Sequence, residues 1–462
     1  MTPVQTAIAS VGRALNSFHP LSMPRLARGH YRRESVAWAC LALGVAAVES
    51  GVTGVIARNV FDGVVSEKAL NFAVAILAGA TAFGNIASFF WAGLSQGRHK
   101  IRFLVGLQAA TMILVAIVAF APATAAGLLL LTTATVCARL CWSGVVTLRS
   151  TVWRANYPRH VRAMMSGKIT TIQALLIALS SFVIGWSVNL SHSAYRPLYL
   201  LVGAAGLVGT LVYRGMRMRG HRALLAAENA EEGVGGLRLS PLRSLRVLAE
   251  DGRFRGYMIC MFLFGTGNLM VTAPLVIVLK KQFRLDPLSS ILITSSIPFL
   301  LMPLSIPFWS KLLDRVHIIE YRAVHCWSFV ASIAAVLLGS VLGATWLLWL
   351  SAVLQGIAFG GGVLGWNLGH LDFAPPEKAS LYMGVHVTLT GIRGLFAPLL
   401  AVGIYELLEA TQEGSGGWVF ALCLALSLAG ALGFVRMRRA LSGPGHDSQF
   451  TEGPPVQSSG AG

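Results

Sequence analysis

The sequence predicts an all-α membrane protein: twelve transmembrane helices in two pseudo-symmetric six-helix bundles. Three observations predict this. The chain of 462 residues is 55% hydrophobic and only 12% charged, with a mean hydropathy of +0.66, whereas soluble domains carry about a quarter charged residues. Its apolar residues gather into runs of about twenty, the length a helix needs to cross ~30 Å of hydrocarbon. A shift of 218 residues brings several features of the first half onto the second.

The runs fall at 36–58, 70–94, 103–121, 126–148, 168–190 and 197–214, then at 257–279, 288–312, 323–343, 346–369, 382–406 and 418–437. They divide the chain into a tail (1–35), a six-helix bundle (36–214), a central loop (215–256), a second bundle (257–437) and a tail (438–462). The first tail has no signal-peptide core and carries Arg13, Arg25, Arg28, Arg32 and Arg33, so the first span is expected to act as an uncleaved insertion signal. The central loop reads as short amphipathic helices lying on the inner membrane surface. The last tail is rich in Gly, Pro and Ser, the composition of disordered chain.

Orientation follows from charge. With both termini in the cytoplasm, the inner segments hold most of the 37 Lys and Arg, as the positive-inside rule requires. The net charge of +18 is therefore a topological signal, and no nucleic-acid partner is expected. The cluster Lys280, Lys281 and Arg284 runs against this orientation, since it falls in an outer loop. The expected location is a bacterial inner membrane.

At the shift of 218, Phe90-Trp91 meets Phe308-Trp309, His99 meets His317, and Pro158, Met165 and Thr170 meet Pro376, Met383 and Thr388. Such repeats are common in secondary transporters, where solute binds near the midplane between the halves. The segment Ser310 to His317, SKLLDRVH, resembles the loop signature G-x-L-x-D-R-x-G of the major facilitator superfamily. Leu312, Asp314 and Arg315 match it, and Ser310 and His317 replace its glycines. The first-half copy, Gly93 to Lys100, keeps glycine and basic residues without the aspartate, and Arg139 precedes Gly144 by five residues where the family has four. The resemblance covers about residues 36–437. It implies alternating access between the bundles, with the first, fourth, seventh and tenth helices lining a cavity. It also implies a cytoplasmic gate around Asp314 and Arg315, joined by Arg98 and Lys100.

Three charges fall near span centres: Glu49, Arg139 and Arg393. A charge at such depth faces a partner or a water-filled cavity. Glu49 and Arg139 fit either a structural ion pair or a proton-coupling pair. Arg393 has no acidic residue near any second-half span centre, leaving an anionic solute or a carbonyl-rich niche as its partner. Asn268 and Asn367 are candidate hydrogen-bonding groups in the cavity. Gly356, Gly360, Gly361, Gly365 and Gly369 read as close helix packing. Asn367, His370 and Asp372 have oxygen and nitrogen ligands to offer, but they stand at a helix end where Asp372 is better read as a cap, and no metal is expected. Nor is a cofactor.

Enzyme signals fail. Gly93 to Gly97 fits G-x-S-x-G, but it ends a membrane span instead of joining a strand to a helix. The six cysteines lie in or beside apolar runs without ligand spacing. The expected function is secondary transport of a small solute by a monomer in the bilayer, coupled to protons, and the buried arginines favour an anion. The fifth span lacks the glycine-proline motif of drug exporters. An exporter of drugs or metabolites with this fold, or a non-transporting sensor or scaffold, is the competing reading.

Overall fold

In the computed structural model the described residues are 16–231, 245–375 and 378–441. They are helical, with no strand among them. Twelve helices are long and apolar enough to span a membrane. Parts of both tails, residues 232–244 of the central loop and the repeat position Pro376 lie outside the described residues.

Every apolar run is the centre of a helix, and the helices continue into polar sequence at their ends. The first span is Arg25–Val60, the seventh Gly252–Lys281 and the ninth Ile318–Leu342. Each starts inside a segment read from sequence as tail or loop. The extensions are buried on bundle-facing sides. Glu34, taken as tail, is fully buried and accepts a hydrogen bond from Trp38 Nε1 at 2.5 Å. Arg322, taken as loop, is only 2% exposed. The ninth span therefore carries a buried charge near its start, which hydropathy alone reads as the end of the membrane segment.

Local signals set the helix ends. Asp251 caps the seventh span by accepting from Phe254 N at 2.8 Å, and Thr124 and Ser66 cap the fourth and second in the same way. Asp286 caps the eighth, with Pro287 in the first turn, where a missing N–H costs nothing. Gly343, at φ +67°, closes the ninth in the left-handed region that favours glycine.

The two bundles repeat each other in contacts as well as in order. Trp91 Nε1 donates to Leu140 O at 2.7 Å, tying the second span to the fourth. At the matching place Trp309 Nε1 donates to Ile357 O at 2.8 Å, tying the eighth to the tenth. His99 and His317 both cap the helix that follows.

The central-loop helix His221–Glu231 docks on the turn between the second and third spans. Glu228 Oε2 accepts from Lys100 Nζ at 2.7 Å and from Gly97 N at 3.0 Å, and the His99 and His221 rings lie 4.1 Å apart. Contact between the halves runs along the later part of the first span, the second and the fifth, against the seventh, eighth and eleventh.

Candidate solute site and its gates

The site is built on two interruptions of regular helix. The first span breaks at Val48 and Glu49, where Glu49 is extended (φ −65°, ψ 141°) before the helix resumes at Ser50. A break deep in a bundle exposes carbonyls that must find donors. Tyr199 Oη donates to Ala47 O at 2.5 Å, and Arg139 Nε donates to Val48 O at 2.8 Å. The second interruption is a π-helical turn, Leu292–Ser296, in the eighth span. Such turns put side chains out of the helical phase and recur at functional sites.

Arg139 is 4% exposed and does two things at once. Besides capping Val48, its Nη2 lies 2.8 Å from Glu49 Oε1. The glutamate side chain is 13% exposed and borders a cavity of about 100 Å³. Asn268, Thr294, Ser332 and Gln355 contribute polar groups to its wall, and Phe299 and Phe359 contribute apolar faces. Gln355 Oε1 is engaged by Ser332 Oγ at 3.0 Å, which fixes the amide. Neither arginine lines the cavity.

A model of the Major Facilitator Superfamily matches residues 40–398 and again 259–456. The chain belongs to the major facilitator superfamily. It is thus an integral membrane protein of a transporter superfamily. No curated protein matches it significantly. Among solved structures, a D-xylose-proton symporter superposes with a TM-score of 0.69 at 14% identity, over 88% of this chain and 97% of that one. The nucleoside transporter NupG gives 0.61 at 16%, over 90% and 100%. The xylose transporter XylE from E. coli, in a partially occluded inward open conformation, gives 0.61 at 12%, over 88% and 96%. At these identities the likeness is one of fold.

Against that fold, the sequence-predicted residues separate. Glu49 and Asn268 meet at the cavity wall, and Arg139 stands behind Glu49, paired with it. Arg393 does not join them. It is 3% exposed between the eleventh and seventh spans, donating to Met261 O and, at 2.8 Å, to Thr390 Oγ1. Its guanidinium lies 5.8 Å from the centre of the Phe262 ring. Of the two partners expected from sequence it has taken the carbonyl niche, because its helical phase turns it into the second bundle. Asn367 is exposed and donates to its own helix at Val363 O. Asp372 accepts from Ile318 N at 2.7 Å, tying the turn after the tenth span to the start of the ninth.

The expected gate is also not assembled. Asp314, Arg315 and Arg98 are exposed, and among the described residues no ion pair joins them to one another or to Lys100. Lys100 is 2% exposed and is committed to Ser95 O and Glu228. These groups stand on the termini side of the molecule. On the opposite side the facilitator is closed. Glu67 Oε1 accepts from Arg58 Nη2 and, across the halves, from Lys281 Nζ, both at 2.7 Å. Asn71 of the second span bonds Glu406 of the eleventh. Lys281, one of the basic residues that ran against the charge rule, is thus held by an interbundle partner. No sequence signal pairs residues 67 and 281.

Between the latch and mid-membrane the backbones of the second and eleventh spans approach closely. A Cβ on Gly394 would lie 2.3 Å from Phe83 N, and one on Gly79 would lie 2.4 Å from Gly394 O. The Glu67 latch is half exposed, and such pairs contribute about 0–1 kcal/mol. Glu67→Gln is therefore expected to raise far-side labelling of the facilitator two- to fivefold, within that range, without loss of fold. Labelling of a cysteine introduced at Thr272 with an impermeant maleimide measures it.

Proposed function

We propose that the protein is a secondary transporter that carries a small hydrogen-bonding solute through the Glu49 cavity, with Glu49 as the proton-coupling group. The observation that carries this reading is the position of Glu49. It stands at the break of the first span, between the cavity and the Arg139 guanidinium. Protonation of the carboxylate removes its attraction for Arg139, while Arg139 keeps its bond to Val48 O. The break can then rearrange without leaving the arginine unpartnered, which is what a coupling site needs.

The wall chemistry supports a neutral or cationic solute over an anion. The anionic expectation rested on Arg139 and Arg393, and both are spent on protein partners. What remains at the cavity is one carboxylate with amides and hydroxyls. Polyol-like or nucleoside-like solutes match that lining, and the sugar and nucleoside transporters of the same fold accord with it. The distribution of basic residues supports placing the termini side in the cytoplasm.

Flux into proteoliposomes from a panel of sugars, nucleosides and organic acids tests the reading. Gln355→Ala is expected to raise KM for the transported solute about 5- to 150-fold, the effect of losing one half-buried hydrogen-bonding group at about 1–3 kcal/mol. Little change in kcat should accompany it. Flux limited to organic acids, or no flux from the whole panel, would reject the solute assignment.

A further inference from the structure

The glycines of the tenth span do more than let helices pack. Gly356 and Gly360 do face the eighth-span backbone, at Pro298 O and Met302 O. The other three make room for polar side chains. A Cβ on Gly361 would lie 2.2 Å from the His325 ring, one on Gly365 2.7 Å from the Arg322 guanidinium, and one on Gly369 2.7 Å from the Tyr257 hydroxyl. A polar column therefore runs inside the second bundle, apart from the Glu49 cavity.

Its charges do not balance. Arg322 is 2% exposed and has no carboxylate within 4.0 Å among the described residues. Its Nη1 meets His325 Nδ1 at 3.5 Å, its guanidinium lies beside the Tyr257 hydroxyl, and its Nε has no partner. The other His325 nitrogen is engaged with Ala358 O. His386 is fully buried with neither ring nitrogen bonded, and its ring lies 5.7 Å from that of Trp366, the neighbour of Gly365 on the tenth span. Asp372, on the adjoining turn, accepts from the Ile318 amide and keeps its charge, but among the described residues it is ion-paired with neither Arg322 nor Arg393 and is one carboxylate against two guanidiniums.

A guanidinium does not shed its proton in a protein, and it offers only donors. Buried donors left open call for a water or an ion. Water would fill the hydrogen bonds and leave the positive charges uncompensated, a costly state in low dielectric. We infer that a small inorganic anion of chloride size binds in the second bundle between Arg322, His386 and Tyr257. It compensates the buried arginines and fixes the seventh, ninth and eleventh spans against the tenth.

Thermal unfolding of the purified full chain in sodium chloride, sodium bromide and sodium gluconate at equal ionic strength tests this. The halides are expected to raise Tm by about 2–4 °C over gluconate, as a ligand that binds only the folded form does. Arg322→Gln should abolish that difference. His386→Asn, which keeps the buried charge, should weaken the halide response about tenfold in concentration and serves where the arginine variant does not fold. Crystals grown in bromide should show an anomalous peak within hydrogen-bond reach of Arg322 and His386. Equal Tm in gluconate and halide, an unchanged halide response in folded Arg322→Gln, or a water without an anomalous peak there would each overturn the anion.

Discussion

Glu49→Gln is expected to abolish pH-driven accumulation while leaving solute exchange within about threefold of the parent. The magnitude follows from the driving force. Each pH unit across the membrane is worth about 1.4 kcal/mol per proton, a factor of ten in concentration. A carrier that moves one proton per solute therefore accumulates about 100-fold against a gradient of two units, and an uncoupled one reaches equality. Glutamine keeps the size of the side chain and can accept from Arg139, but it cannot be ionised. The variant should fold. Breaking a fully buried pair costs about 3–5 kcal/mol by stranding a charge, yet here Glu49 is 13% exposed at the cavity and Arg139 retains Val48 O. The measurement is radiolabelled uptake under an imposed pH gradient, compared with counterflow at symmetric pH. Retained hundredfold accumulation would move the coupling site elsewhere. Loss of both modes would make the pair structural instead.

How far this site was legible in the sequence depends on which property is asked for. Span number and repeat were legible because twenty apolar residues in a row have one physical use, and because Trp91 and Trp309 do the same job in each half. The Glu49–Arg139 pair was legible as depth: both charges fell at span centres, where only a partner or water makes them tolerable. Rotation was not legible. Arg393 lies as deep as Arg139, but which way a helix turns its residues is set by neighbours of high sequence separation. Met261, which receives the guanidinium, is one of these. Glu34 and Arg322 were misplaced for a different reason. Hydropathy reads a charge near the end of a run as solvent, whereas both are buried in bundle-facing helix ends. The far-side latch between Glu67 and Lys281 is likewise a pairing between halves, and nothing local announces it.

Gly394→Ala is expected to shift the carrier toward a far-side-open state by roughly 5- to 150-fold. The added Cβ would stand 2.3 Å from Phe83 N and 2.6 Å from the Ala82 Cβ. The first of these is backbone, so it cannot rotate away. Overpacking of this kind costs about 1–3 kcal/mol, and each 1.4 kcal/mol is tenfold in a two-state population. The clash stands at mid-membrane, beside Arg393, in the contact between the second and eleventh spans, so it penalises the arrangement seen here, with the far side latched, and spares one in which the two spans part. Gly403→Ala is the matched control. It lies on the same helix with nothing within 4 Å of the added atom, and alanine there should leave transport unchanged or stabilise the helix slightly. Spin labels on the far-side loops at Val64 and Arg284 would report the population directly. A longer distance in Gly394→Ala with a slower transport cycle is the expected result. An unchanged distance distribution would show that the second and eleventh spans stay in contact throughout the cycle, and that the halves pivot elsewhere.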